Sequence, residues 1–399
     1  MPQLTKFKIA ISSALLLLSS SLHAGYVYTD EQSGIKATIH TRLQSLVLLN
    51  DSGYKPDDDI EFRVRRARLG LAIDFNPDIS VVLQTELANN GHINGVTKLI
   101  DAYIKYNADP WLQVMTGVNM APVQRQNLTS SGSMLAFDRP GITNYNMTWG
   151  MKGNVALQTG TVPGTKLATF GDYQVRDRGV TLFGSGQIDS QNHLKYYASR
   201  NRGSRFADNT SRSSFRLQWN HGDAEPSYYN CSSYLGKKQT VAVGIAIDKQ
   251  DRFAADAITF EDVDYRLFTI DAFIEQPWAE GYLTVESAYI KLDLDDTINP
   301  LADFSFEPLS SAPTSQTQGH GYYIQTGYML GHWQPWVMVE DWQTEDSLNN
   351  GSWRSKRIGI TYYLREKNIY FKFGIENTEV LGVDSKDITT AALGMYLYY

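Results

Sequence analysis

Four arginines fall within six positions of the stretch FRVRRARLGLAIDF, at Arg63, Arg65, Arg66 and Arg68. A guanidinium stays charged across the physiological range and presents a planar fork of donors that matches carboxylate and phosphate oxygens. Such a cluster suits the attraction of anions rather than the breaking of bonds. Catalytic signatures are thin: the sequence holds no HExxH, no P-loop, no paired CxxC and no GxSxG. His40, His92, His193, His221, His320 and His332 lack metal-ligand spacing. Neither catalysis nor a cofactor or metal is expected.

The arginines run without a turn residue into Leu69, Leu71, Ile73 and Phe75. This is one strand with an apolar end and a charged end. Alternation of apolar and polar residues recurs along the chain, as in Ile35, Ala37, Ile39, Thr41 and Leu43 against Lys36, Thr38, His40, Arg42 and Gln44. The pattern predicts sixteen strands. They are 35–49, 62–75, 79–88, 98–107, 112–120, 179–188, 194–200, 214–221, 240–248, 265–275, 283–291, 322–330, 336–344, 357–364, 369–376 and 389–399.

Lys6 and Lys8 precede the apolar run Ile9 to Leu18, and Leu22-His23-Ala24 follows, which reads as a secretory signal peptide over 1–24 ahead of one domain over 25–399. Removing Lys6 and Lys8 takes the 36 basic residues to 34 against 43 acidic, so the exported chain is acidic and no nucleic-acid partner is expected. Cys231 is the only cysteine and excludes an internal disulfide. Tyrosines number 24 and tryptophans 8, while mean hydropathy is −0.33. No later segment is apolar enough for a membrane helix. A large soluble β protein or a transmembrane β-barrel remains.

Connection lengths favour the barrel. Turns after even-numbered strands are brief, as at Asn76-Pro77-Asp78 and Ala108-Asp109-Pro110, and those after odd-numbered strands are long and polar, as at 50–61 with its Asp57-Asp58-Asp59 run, 249–264 and 293–319. Short periplasmic turns and long outer loops are the asymmetry of an outer-membrane barrel. His221 to Lys238 breaks the rule as a long connection on the short-turn side. At the C-terminus, Ala391, Leu393, Met395, Leu397 and Tyr399 share one face. This resembles the terminal strand that the barrel insertion machinery recognises, so that machinery is an expected partner.

In this reading Ala67 to Phe75 spans nine residues, roughly 27 to 30 Å of strand, enough for the apolar band. Arg66 and Arg68 then face the lumen. Arg63 and Arg65 share the lipid-facing parity beyond the band, where headgroup phosphates of the outer-membrane lipid would accept from them. Parity places Lys36, Arg42, Arg66, Arg68, Lys105, Lys195, Arg216, Arg357 and Lys372 inward, with Asp74, Glu86, Asp101, Asp271, Glu275, Glu286 and Glu376. That near-balance needs clustering to become selective. Asp101 and Lys105 could pair locally, and Glu86 could engage Arg66 and Arg68.

The motifs FRVRRARLGL, LIDAYIKY, TGVNMAPVQRQNLTSSGSMLAFDRPGIT and RDRGVTLFG together resemble the phosphate-selective porin O and P family, with weaker echoes in GYYIQTGYML and RIGITYYL. The resemblance implies an all-β, sixteen-stranded transmembrane antiparallel barrel, commonly a homotrimer, with a water-filled lumen for small hydrophilic solutes and ions. It also implies a long third loop folded into the lumen, matched here by Ala121 to Asp177, with Arg125, Thr129, Ser130, Ser131 and Arg139 as constriction residues. The chain departs from the family in reading Met120-Ala121-Pro122 where a lysine often precedes the proline. It also has Arg125, Gln126 and Asn127 in place of an acidic pair, so phosphate selectivity does not follow from the resemblance alone. The expected function is passive diffusion with at most a weak anion preference. The alternative is a structural or adhesive barrel whose lumen is plugged and whose outer loops bind a partner.

Overall fold

The computed structural model describes residues 25–51, 60–88, 97–143, 157–158, 176–203, 211–256, 261–295, 306–307, 312–313, 318–345, 351–382 and 385–399. The proposed leader over 1–24, the Asp57-Asp58-Asp59 run, His92 and the third loop over 144–156 and 159–175 lie outside them.

Sixteen antiparallel strands close into a barrel. They are β1 (Lys36–Asp51), β2 (Ile60–Asp74), β3 (Ile79–Glu86), β4 (Lys98–Asp109), β5 (Leu112–Met120), β6 (Arg176–Gln187), β7 (Asn192–Asn201) and β8 (Arg212–Gly222). The series continues with β9 (Thr240–Asp256), β10 (Asp262–Trp278), β11 (Gly281–Asp293), β12 (Gly319–Met329), β13 (Trp333–Thr344), β14 (Trp353–Arg365), β15 (Ile369–Val380) and β16 (Lys386–Tyr398). Each strand pairs with its sequence neighbour, and β16 pairs back onto β1 from Arg42↔Tyr398 to Asp51↔Thr389. Closure removes every edge but one. The first residues of β1 extend below the C-terminus, and a short strand, Tyr26–Thr29, pairs with them from Tyr26↔Ile39 to Thr29↔Lys36. That hairpin had no counterpart in the sequence reading. The connection expected over 249–264 is also shorter than anticipated, because β9 and β10 continue past an irregularity to pair Ala254↔Val263 and Ala255↔Asp262.

The outer face explains why these sequences are strands. Leu69, Leu83, Ile104, Ile245, Ile270, Ile324, Val339, Ile375 and Leu393 all point outward and exposed. Burying such a side chain contributes about 1.5–3 kcal/mol, and here only lipid can bury it, since the apolar belt far exceeds what a soluble surface carries. Trp111, Trp278, Trp333 and Tyr399 stand exposed near the short-turn end, as interfacial aromatics do. The inner face is polar and packed. Among the described residues two short helices lie inside the barrel, α1 (Arg125–Leu128) and α2 (Gly141–Thr143), and every residue of both is buried.

Candidate functional site

The third loop leaves β5 at Met120 and crosses the lumen. Its anchors come from several strands of the wall. Thr269 Oγ1 donates to the Val123 carbonyl at 2.6 Å, and Asp271 accepts the Arg125 N–H at 3.1 Å. Lys372 Nζ donates to the carbonyls of Met134, Leu135 and Ala136 at 2.6, 2.9 and 2.6 Å. Tyr396 donates to Phe137 O at 3.2 Å, and the Gly141 N–H donates to Glu340 at 2.7 Å. The described part of the loop thus folds into the lumen.

The arginine stretch meets this loop through a β-bulge. Gln44 opposes Arg66 but Ser45 opposes Val64, so Arg65 is the extra residue and the parity of β2 inverts beyond it. Arg63 and Arg65 therefore do not reach lipid headgroups; both are buried, while Phe62 takes the outward position at 80% exposure. Arg63 meets Glu61 at 2.9 and 3.0 Å. Arg65 Nε and Arg66 Nη2 converge on the loop carboxylate of Asp138 at 2.6 and 2.7 Å. Burial alone would raise the Asp138 carboxyl, but the guanidiniums of Arg65, Arg66 and Arg139 more than offset it and hold it well below the usual carboxylate range. Arg66 also donates to Gln44 at 2.7 Å.

Arg68 pairs with Glu86 at 2.6 Å, so Glu86 engages one of the two arginines expected of it and the loop engages the other. Asp101 faces the lumen as parity placed it, beside a second bulge at Ile100, and accepts from Arg176 at 3.0 Å rather than from Lys105. Lys105 is half-buried in the row of Ser80 and Asp74. Lys36 is exposed at the short-turn end, opposite Asp74. Arg216 grips Asp271 through two bonds of 2.5 and 2.8 Å.

Arg42 stands apart because no carboxylate lies within ion-pair distance of it among the described residues. Its guanidinium donates to the Ser131 hydroxyl and, at 3.2 Å, to that of Ser130, and it lies over the Tyr398 ring at 4.8 Å. Arg139 donates to the carbonyls of Gln126 and Thr129, at 3.0 and 2.6 Å for the first and second. Arg42 and Lys372 are thus lumen cations bonded to hydroxyls and carbonyls, with no carboxylate within ion-pair distance among the described residues, whereas the Arg139 guanidinium acts on the neighbouring Asp138. Glu275 of β10 and Glu286 of β11 accept from hydroxyl, amide and backbone N–H groups.

Thr129 and Arg125 have a partner that the sequence reading did not assign. The long connection from Gly222 to Gln239 folds inward and meets the loop, with Thr129 bridged to Asn230 and Arg125 clasping Glu225 at 2.8 and 2.6 Å. Asp138 and Glu225 were the missed functional groups. Asp138 was visible inside the FDRP motif, and Glu225 only as part of a connection too long for its side of the barrel.

Among the described residues no cluster of three or more metal-ligating side chains occurs.

The family model described as phosphate-selective porin O and P matches residues 39–232. A protein of Aquifex aeolicus (strain VF5), described only as uncharacterized, is 22% identical over 319 residues, 75% of this chain and 68% of its own length. Three solved outer-membrane structures share the fold. The anion-selective porin of Comamonas acidovorans has a TM-score of 0.57 at 10% identity, with 92% of this chain and 100% of that one covered. The OprB protein of Pseudomonas putida has 0.55 at 9%, covering 92% and 95%. The DcaP channel of Acinetobacter baumannii has 0.54 at 11%, covering 94% and 99%. The chain is an outer-membrane β-barrel channel that carries the phosphate-selective porin O and P family pattern over residues 39–232.

Proposed function

We propose that this channel passes small hydrophilic solutes and ions by passive diffusion, prefers anions weakly, and performs no catalysis. The observation that carries the preference is the pair of lumen cations, Arg42 and Lys372, that have no carboxylate within ion-pair distance among the described residues. A fixed positive field in a lumen with low-dielectric walls raises the local concentration of anions. Phosphate and chloride are both candidates, and the departures from the family motif at Met120 and Arg125–Asn127 leave the order between them to experiment. Ion replacement in a planar bilayer, with chloride exchanged for phosphate on one side, ranks the two. A cation-directed zero-current potential would refute the anion preference.

Assembly as a homotrimer and delivery by the barrel insertion machinery through the Tyr399 strand belong to the same proposal, as does a cleaved leader over 1–24. A second reading is supported by a specific feature, the filling of the lumen by two inward segments. In that reading the barrel is plugged and its outer loops bind a partner. Single-channel recording separates the two, because a silent bilayer with folded protein would favour the plugged barrel.

A further inference from the structure

The connection from β8 to β9 begins at the end of the barrel where turns are short, yet it turns into the lumen instead of reversing. Gly222 at φ +86° and Gly236 at φ +78° lie near its two ends, in the left-handed region that favours glycine. Between them the chain reaches four sides of the barrel. Tyr197 of β7 donates to Tyr228 O at 2.8 Å, Glu275 of β10 accepts the Tyr234 and Gly236 N–H groups at 2.9 and 2.8 Å, and Gln334 of β13 donates to Ser233 at 3.1 Å. Lys367, from the β14–β15 turn, donates to Ser233 O at 2.6 Å.

The segment is also bolted to the third loop from below. Asn230 N–H donates to Leu128 O at 3.0 Å and Ser130 N–H to Asn230 O at 3.2 Å, a parallel bridge between two connections that enter from opposite ends. Arg125 and Glu225 close the contact with side chains 0% and 1% exposed, and the Arg125 guanidinium lies 3.7 Å from the centre of the Phe273 ring. Where the segment touches the wall, Glu275 and Gln334 are themselves at 0%. Plug and wall are in direct hydrogen-bonded contact there.

We propose that residues 223–239 are an intramolecular plug, latched beneath the third loop by the Arg125–Glu225 pair, and that solute passage requires the latch to open and the segment to swing toward the mouth. The proposal rests on the channel reading above and adds its regulation. A buried ion pair suits such a latch because neither charge is stable alone in the interior, so the contact is either made or broken with both groups rehydrated.

The test uses the full chain with T129C and N230C in a C231S background. Bridged residues on neighbouring strands lie about 5 Å apart, within the range a disulfide spans. Single-channel conductance is recorded from the same folded protein after oxidation and after reduction. The expected result is conduction in the reduced form and a loss of at least about tenfold in mean current on oxidation, restored by reductant. E225Q, which neutralises the latch without changing its shape, should raise the open fraction several-fold over the unmodified chain. Equal currents in the oxidised and reduced forms, or E225Q behaviour identical to the unmodified chain in folded protein, would overturn the plug. Failure of the pair to oxidise contradicts the bridge and with it the proposal. A reduced protein that is folded but silent would sink the channel reading itself, and the plug with it.

Discussion

Replacing Asp138 with asparagine removes the charge that ties the third loop to the arginine strand. The carboxylate is 3% exposed and receives Arg65 at 2.6 Å, Arg66 at 2.7 Å and the Arg139 N–H at 2.9 Å. Asparagine keeps the shape and one acceptor, but it turns two N–H groups toward guanidiniums that can only donate. Removing one partner of a buried ion pair costs about 3–5 kcal/mol because the other charge stays buried and uncompensated. Much of that cost falls on loop docking, since among the described residues Asp138 meets the wall through Arg65 and Arg66, so the undocked population should rise by about 100-fold or more. Hydrogen exchange read by mass spectrometry over 121–143 reports that population through amides such as Leu128, which donates to Gln124 O at 3.2 Å. Protection there should fall by about 100-fold while β10 and β11 exchange as before. In an R66Q background the same change should cost less by at least about 1 kcal/mol, because one of the stranded charges is already gone. Unchanged protection in folded D138N protein would refute the pinning role.

Three further outcomes follow from the geometry. R66Q/R68Q should shift the zero-current potential in a potassium chloride gradient toward cations, and the shift should shrink at high salt as screening shortens the field; no shift at low salt in conducting channels would assign both arginines to bracing alone. Deleting Tyr399, whose N–H donates to Thr41 O at 3.0 Å and which is exposed at the short-turn end of the barrel, should lower the heat-modifiable folded fraction in outer membranes; normal assembly would remove the role of the terminal aromatic. Loop and plug docking should be insensitive to pH from 8 down to about 4 and weaken only below it. Burial pushes the Asp138 and Glu225 carboxyls up, but Arg65 and Arg66 at the first and Arg125 at the second hold both well below the usual range. Stability from a depressed carboxylate is complete above its unfolded value and is lost as pH falls from there toward the folded one. Loss of amide protection already at pH 6 would contradict the pairing.

The strands were legible because each carries its own evidence. Lipid on one side and polar packing on the other force a two-residue period, and Leu69, Leu71 and Ile73 show it without reference to any distant residue. All sixteen barrel strands follow from that rule, together with the inward loop implied by the family resemblance. The rule fails where the ladder slips. The bulge at Arg65 puts two consecutive arginines on one face, and no local residue type announces it, so Arg63 and Arg65 were placed against lipid. Pairings between distant segments were illegible for a different reason. Arg125 and Glu225 are separated by 100 positions, and Arg176 meets Asp101 across 75, so neither contact leaves a trace in spacing. Only the abnormal length of the connection from His221 to Lys238 hinted that it had somewhere else to go.

The proposed anion preference rests on Arg42 and Lys372, lumen cations with no carboxylate within ion-pair distance among the described residues. The most direct test is the zero-current potential of the purified, unmodified chain in a planar bilayer under a potassium chloride gradient at low salt, repeated at high salt. Discrete conductance steps with an anion-directed potential that fades as salt rises are predicted. Folded protein that leaves the bilayer silent, or a potential of the opposite sign, would contradict the account.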